Sequence, residues 1–227
     1  MTGTCGPSPA SKTRSQEEVA SFFRLHLHLH GPNWRGLGWQ SRRSQRRRFA
    51  VLSEVGPLAN TRVLDVGCGV GDLYHYLLRR RLPVAYTGFD ILPEMVAHAR
   101  RRYPGAHFEV RDVLQGLGPE RFDYVLCSGA FNVNFGRNLA AVQKVLPELL
   151  RCCTRGVAIN FLSTRARERD AILFNYEPEM LFTYCQTLTP RVRLLEGYLP
   201  NDFTLYLYPE RGGEAQPAEP VQEGSPT

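Results

Sequence analysis

Apolar residues along the chain fall in short runs separated by polar, glycine-containing turns, and their spacing predicts strands alternating with helices. Strand-length apolar runs occur at Val63–Val66, Val84–Phe89, His107–Val110, Phe122–Cys127 and Gly156–Leu162. Helical stretches lie between them: Asp72–Arg81, and Asn138–Cys152, where Leu139, Val142, Val145, Leu146, Leu149 and Leu150 recur every three or four residues. Leu173–Leu188 reads as a further helix with Pro178 near its start, and Arg191–Leu195 and Phe203–Tyr208 alternate as a closing pair of strands. The reading is an α/β chain of seven strands, with helices between the first five.

One junction stands out chemically. Val63-Leu64-Asp65-Val66-Gly67-Cys68-Gly69-Val70-Gly71-Asp72 reads as a buried strand entering a glycine-rich turn and then a helix. Glycines at alternate positions let a ligand approach the backbone and permit the dihedrals of a tight turn, which suggests open N–H groups facing something anionic or adenosine-like. A dinucleotide site calls for G-x-G-x-x-G, but here the third glycine position of that spacing is Asp72 and the glycines run G-x-G-x-G. Further acids close the next two strands: Asp90 after Phe89, placed to accept hydrogen bonds from a ribose diol, and Asp112 after Val110.

The run Asp65-Val-Gly67-Cys-Gly69-Val-Gly71 resembles the first motif of class I S-adenosylmethionine-dependent methyltransferases, whose loop holds the methionine part of the cofactor. Asp90-Ile-Leu-Pro-Glu-Met95 is similar to the family's second motif. The resemblance spans about residues 60 to 208 and implies a doubly wound, mostly parallel seven-stranded sheet, helices on both faces and an antiparallel C-terminal strand. It implies S-adenosyl-L-methionine as cofactor, held by Asp65, Gly67, Cys68, Gly69, Gly71, Asp90, Ile91, Met95, Asp112, Val113 and Ser128. Within that set Asp90 would grip the ribose, Met95 would pack near the adenine and Asp112 would contact the adenine amino group. The family's base N-methylating members carry an Asn/Asp-Pro-Pro-Tyr/Phe signature after the fourth strand. This chain has Ser128-Gly-Ala-Phe131-Asn132 there, which removes the main support for that substrate class and leaves Ser128, Phe131 and Asn132 as candidate pocket residues.

Composition changes the picture little. The chain has 227 residues, 43% of them hydrophobic, enough for one domain with a substantial core. Residues 1–15 and 209–227 lack apolar periodicity and read as disordered tails. No signal-peptide core and no membrane-length apolar run is found, so a cytoplasmic location is expected. The six cysteines show no C-x-x-C or zinc-finger spacing, which favours reduced thiols and assigns no metal, and Cys68 is read as filling a small space in the loop. A net charge of +6 raises nucleic acid as a partner. However, all but two of the 28 basic residues are arginine, and Arg79–Arg81 and Arg100–Arg102 sit at helix ends, where cations suit the helix dipole.

The segment before the first strand, residues 16–60, is expected to form a helical lid that helps build the acceptor pocket. It carries His26, His28 and His30, of which only His26 and His30 are neighbours on a helix, together with Trp34, Trp39 and the cluster Arg42–Arg48. His26, His30 and Asn132 are the catalytic candidates. A sulfonium is an activated methyl donor, so positioning and water exclusion suffice unless the acceptor must lose a proton. The expectation is methyl transfer to a small-molecule acceptor, oxygen and nitrogen nucleophiles both open, with an RNA or protein acceptor using Arg42–Arg48 as the alternative. No oligomeric state is assigned.

Overall fold

A computed structural model describes residues 16–167 and 170–210. The tail assignments at 1–15 and beyond 210, and Cys5, lie outside the described residues. Helices α1 (Gln16–His30) and α2 (Arg42–Leu52) precede β1 (Thr61–Val66), α3 (Asp72–Arg79), β2 (Val84–Asp90), α4 (Pro93–Arg102) and β3 (His107–Val110). Then follow β4 (Phe122–Ser128), α5 (Asn138–Cys152), β5 (Cys153–Ser163), β6 (Asn175–Tyr176), α6 (Pro178–Leu188), β7 (Val192–Leu195) and β8 (Asp202–Leu207).

The sheet runs β3-β2-β1-β4-β5-β8-β7, with β8 antiparallel to both neighbours and the first five strands parallel. Strand order reverses between β1 and β4, and at such a switch point the flanking loops diverge and leave a cleft at the strands' carboxyl ends. Alternate residues of each strand feed two cores. Leu64, Val125, Ile159 and Leu205 pack against Val142, Val145 and Leu149 of α5, whereas Val63, Tyr124, Ala158 and Tyr206 pack against α2 and α3.

Several boundaries differ from the sequence reading. The helix expected from Leu173 starts at Pro178, and residues before it are extended: Asn175 and Tyr176 form an eighth strand on β5, and proline occupies the first helical turn, where its missing N–H costs nothing. The stretch expected to be helical to Arg81 ends at Arg79, Arg81 having a left-handed φ of 55°. β5 begins three residues early, directly from α5. No helix among the described residues is long and apolar enough to cross a membrane.

Candidate cofactor and acceptor site

A cavity of about 820 Å³ opens at the switch point, walled by the glycine loop, the ends of β2 and β4, the segment after β3, and residues of α1, α2 and the α1–α2 loop. Its volume is of the size that holds a nucleoside-like ligand with a small molecule beside it. Gly67, Cys68 and Gly69 border it, as do Asp65, Asp90, Ile91, Met95, Asp112, Val113 and Ser128. The sequence-selected residues therefore converge, with one exception: Gly71 does not reach the cavity. It begins α3 at φ 81°, and a Cβ there would stand 2.9 Å from the ring of Tyr103, so this glycine serves the packing of loop against core.

The loop does not offer the open N–H groups that its glycines suggested. Gly67 N and Cys68 N both donate to Phe89 O (2.8 and 3.0 Å), Gly69 N donates to Asp90 Oδ2 (2.8 Å) and Gly71 N to Cys68 O (3.0 Å). The loop is thus tied to the end of β2 by its own donors. What stays without a partner around the cavity is mostly oxygen: Asp65 Oδ1, the Ser128 hydroxyl and Asn132 Oδ1 are buried and unpaired, with the amide Nδ2 of Asn160 behind them. Such a surface suits a ligand that brings cations and hydroxyls, and would serve a pyrophosphate poorly.

Each acid has a distinct environment. Asp65 is 2% exposed and takes the Tyr86 hydroxyl on Oδ2; burial pushes its carboxyl up to about 7, against which the tyrosine hydrogen bond works. Asp90 accepts from Gly69 N and from Leu92 N (2.9 Å), and burial raises its carboxyl as well. Asp112 caps a short turn through Leu114 N (2.9 Å) while bordering the cavity. The Cys68 thiol is pushed up by burial, which keeps it protonated and fits a space-filling role.

The segment ahead of β1 covers this floor. Leu37 rests on the loop so closely that a Cβ on Gly69 would stand 2.7 Å from it, and Ala20, Phe23 and Leu27 pack with Leu37 against Val70, Leu92 and Met95. Trp39 lies over Gly129 at the end of β4. His26 and His30 are neighbours, with ring centroids 5.7 Å apart, but neither borders the cavity: His26 stacks on Phe22 and its Nδ1 lies 3.4 Å from Arg35 O. Of the three catalytic candidates only Asn132 reaches the cavity.

The chain matches the family described as a methyltransferase domain over residues 63–156. A Mycobacterium tuberculosis protein assigned as a methyltransferase, with no acceptor in its name, is 33% identical over 150 residues, 62% of this chain and 89% of that one. The chain belongs to the class I S-adenosylmethionine-dependent methyltransferases. A second relative of this methyltransferase, the demethylmenaquinone methyltransferase of Thermus thermophilus, is 31% identical over 181 residues, 78% of this chain and 75% of that one. In fold it is similar to the magnesium protoporphyrin IX methyltransferase of Synechocystis with bound S-adenosylhomocysteine: TM-score 0.64 and 16% identity, covering 86% of this chain and all of that one.

Several residues at or behind the methyltransferase's cavity were not given these roles from the sequence. Tyr86 holds Asp65 from the next strand. Arg48 enters from α2, donates through Nε and Nη2 to Asp202 Oδ1 (2.9 and 2.6 Å) and lies 4.7 Å from the Trp39 ring centre. The arginine cluster on α2 is therefore divided. Arg48 faces inward, while Arg42 and Arg46 border a separate hollow of about 300 Å³ together with Arg79 and Arg102. These partners come from distant stretches, 154 residues apart for Arg48 and Asp202, so no local spacing could signal them.

Proposed function

We propose that the cavity binds S-adenosylmethionine across β1, β2 and β3 and transfers its methyl group to a small molecule lodged beyond β4 and β5. The carrying observation is the set of unpaired oxygens beside a loop whose Gly67, Cys68, Gly69 and Gly71 N–H groups are already bonded. Asp65 Oδ1 is the counter-charge for the amino group of the methionine moiety. A carboxylate held buried and raised to about 7 gains most from an incoming cation. Asp90 both fastens Gly69 and accepts from the ribose hydroxyls, each of its oxygens having a further lone pair. Ile91, Met95, Val113 and Leu114 supply apolar faces for the adenine, with Asp112 at its amino edge.

When bound, the cofactor supplies an electrophilic methyl on a positively charged sulfur. The protein's part is to align donor and acceptor and to exclude water. Residues 16–60 act as the lid: Leu37 and Phe23 cover the cofactor side and Trp39 the acceptor side. Ser128 and Asn132 lie where the methyl is delivered. A cavity whose acceptor end is lined by Trp39 and Phe131, with Arg48 engaged by Asp202, supports a small acceptor over RNA, since a polynucleotide needs an open basic groove.

Asp90→Ala tests the assignment. Calorimetry should show S-adenosylhomocysteine affinity lowered at least about tenfold, since a hydrogen bond to an ionised group is worth roughly 1.5–3 kcal/mol. Unchanged affinity in the folded variant would remove Asp90 from the cofactor site.

A further inference from the structure

The acceptor end of the cavity carries charge in a form that restricts what can bind there. Six aspartates and two arginines border the whole cavity among the described residues: Asp65, Asp72, Asp90, Asp112, Asp170 and Asp202, against Arg48 and Arg111. Both arginines are already paired with carboxylates. Arg111 donates to Glu109 Oε1 (2.7 and 2.9 Å) and to Leu117 O (2.5 Å), and lies 4.3 Å from the Phe89 ring centre. Arg48 is held by Asp202, itself 4% exposed, and is covered by Trp39. A carboxylate or phosphate entering here would lose its water and meet no free cation.

The polar atoms that lack partners near β4 and β5 are uncharged. Ser128 and Asn160 are cross-strand neighbours at the ends of β4 and β5. Asn160 Oδ1 accepts from Gly129 N (3.0 Å), which fixes the amide so that Nδ2 is the unpaired end. Asn132, 7% exposed and on the cavity wall, has an unpaired Oδ1, and Ser128 Oγ is unpaired too. Of these residues Ser128 and Asn132 border the cavity: Asn132 Oδ1 can receive one O–H or N–H, and the Ser128 hydroxyl can return a hydrogen bond to the same group. Around them Trp39, Phe131, Phe135, Leu162 and Leu173 make an apolar wall.

We propose that the acceptor of this methyltransferase is an uncharged, largely apolar molecule whose hydroxyl or N–H is received by Asn132, with Ser128 completing its polar contacts, and that the Arg48–Asp202 pair excludes acidic substrates by keeping the arginine engaged. The inference rests on the reading of the cavity as the cofactor and acceptor site. Buried polar atoms discriminate strongly in such a place, because a ligand that cannot satisfy them leaves them orphaned.

The test uses two probes of one shape, 2-naphthol and 2-naphthoate, with 2-naphthylmethylamine as a cationic third, titrated into the full-length protein saturated with S-adenosylhomocysteine. Saturation is established first, so failure of the cofactor itself to bind is seen separately and counts against the underlying reading. Naphthol should bind at least about tenfold more tightly than either charged probe, a difference of about 1.4 kcal/mol. Asn132→Ala should weaken naphthol several-fold and leave S-adenosylhomocysteine affinity unchanged. Asp202→Asn, if it folds, should release Arg48 and raise naphthoate affinity at least about tenfold over wild type. The wild-type comparison decides the matter even if that variant does not fold. Naphthoate or the amine binding as tightly as naphthol, or no naphthol binding to the saturated protein, would overturn the proposal.

Discussion

Replacing Asp65 by Asn should make the unliganded protein more stable near pH 8 while weakening its hold on the cofactor. The carboxyl is buried with only the Tyr86 hydroxyl as partner, and its value of about 7 stands against an ordinary 3.8. That gap is roughly three decades, at ~1.4 kcal/mol each, so ionising the buried acid costs about 4 kcal/mol in the absence of a cation. The folded value lies above the unfolded one, so this stability is complete below about pH 4 and is lost as the pH rises to about 7. Asparagine keeps an oxygen for Tyr86 and removes the titration. Urea unfolding of both proteins at pH 5 and pH 8 should therefore show wild type losing about 2–3 kcal/mol relative to the variant between those pH values. Calorimetry at pH 8 should show S-adenosylhomocysteine binding at least about tenfold more weakly to Asp65→Asn. A stability difference that stays flat with pH would refute the burial argument, and undiminished affinity would refute the pairing with the amino group.

The glycines of the loop should separate into two classes. Gly71→Ala forces a side chain into φ 81° and a Cβ to 2.9 Å from Tyr103, so it should lower the midpoint of thermal unfolding, at a cost of about 2 kcal/mol or more, with cofactor affinity largely kept. Gly69→Ala, at φ 53°, also drives a Cβ against Leu37 of the α1–α2 loop, 2.7 Å away, and should weaken S-adenosylhomocysteine binding measurably. Equal effects of the two substitutions on affinity would place Gly71 in the cavity after all.

What was legible in the chain was what is local. The strand, glycine loop and helix at residues 61–79 form one continuous signal, because burial, dihedrals and helix start all act within twenty residues. Asp90 and Asp112 could be placed because each ends a strand, and strand ends meet the switch point. The same locality misled in two places. Alternating glycines suggested free N–H groups, but Phe89 O and Asp90 lie on the adjacent parallel strand and take those donors, a fact of sheet register that spacing along one strand cannot carry. His26 and His30 share a helix face as their spacing required, yet neither reaches the cavity: that face meets it one turn earlier, at Phe22, while Ala20, Phe23 and Leu27 occupy the side that packs on Val70 and Met95. The proposed acceptor end was the least legible: it is assembled from α2, β4, β5 and β8, and its pairs, Arg48 with Asp202 and Gly129 with Asn160, are made only by the tertiary fold.

The central claim is that this cavity is built for a cationic, hydroxyl-bearing adenosyl ligand. Parallel calorimetric titrations of the purified protein with S-adenosylhomocysteine and with NAD test it most directly. Saturable binding of S-adenosylhomocysteine, one molecule per chain, with no heat from NAD is the predicted result. Binding of NAD, or no binding of S-adenosylhomocysteine to the folded protein, would contradict it.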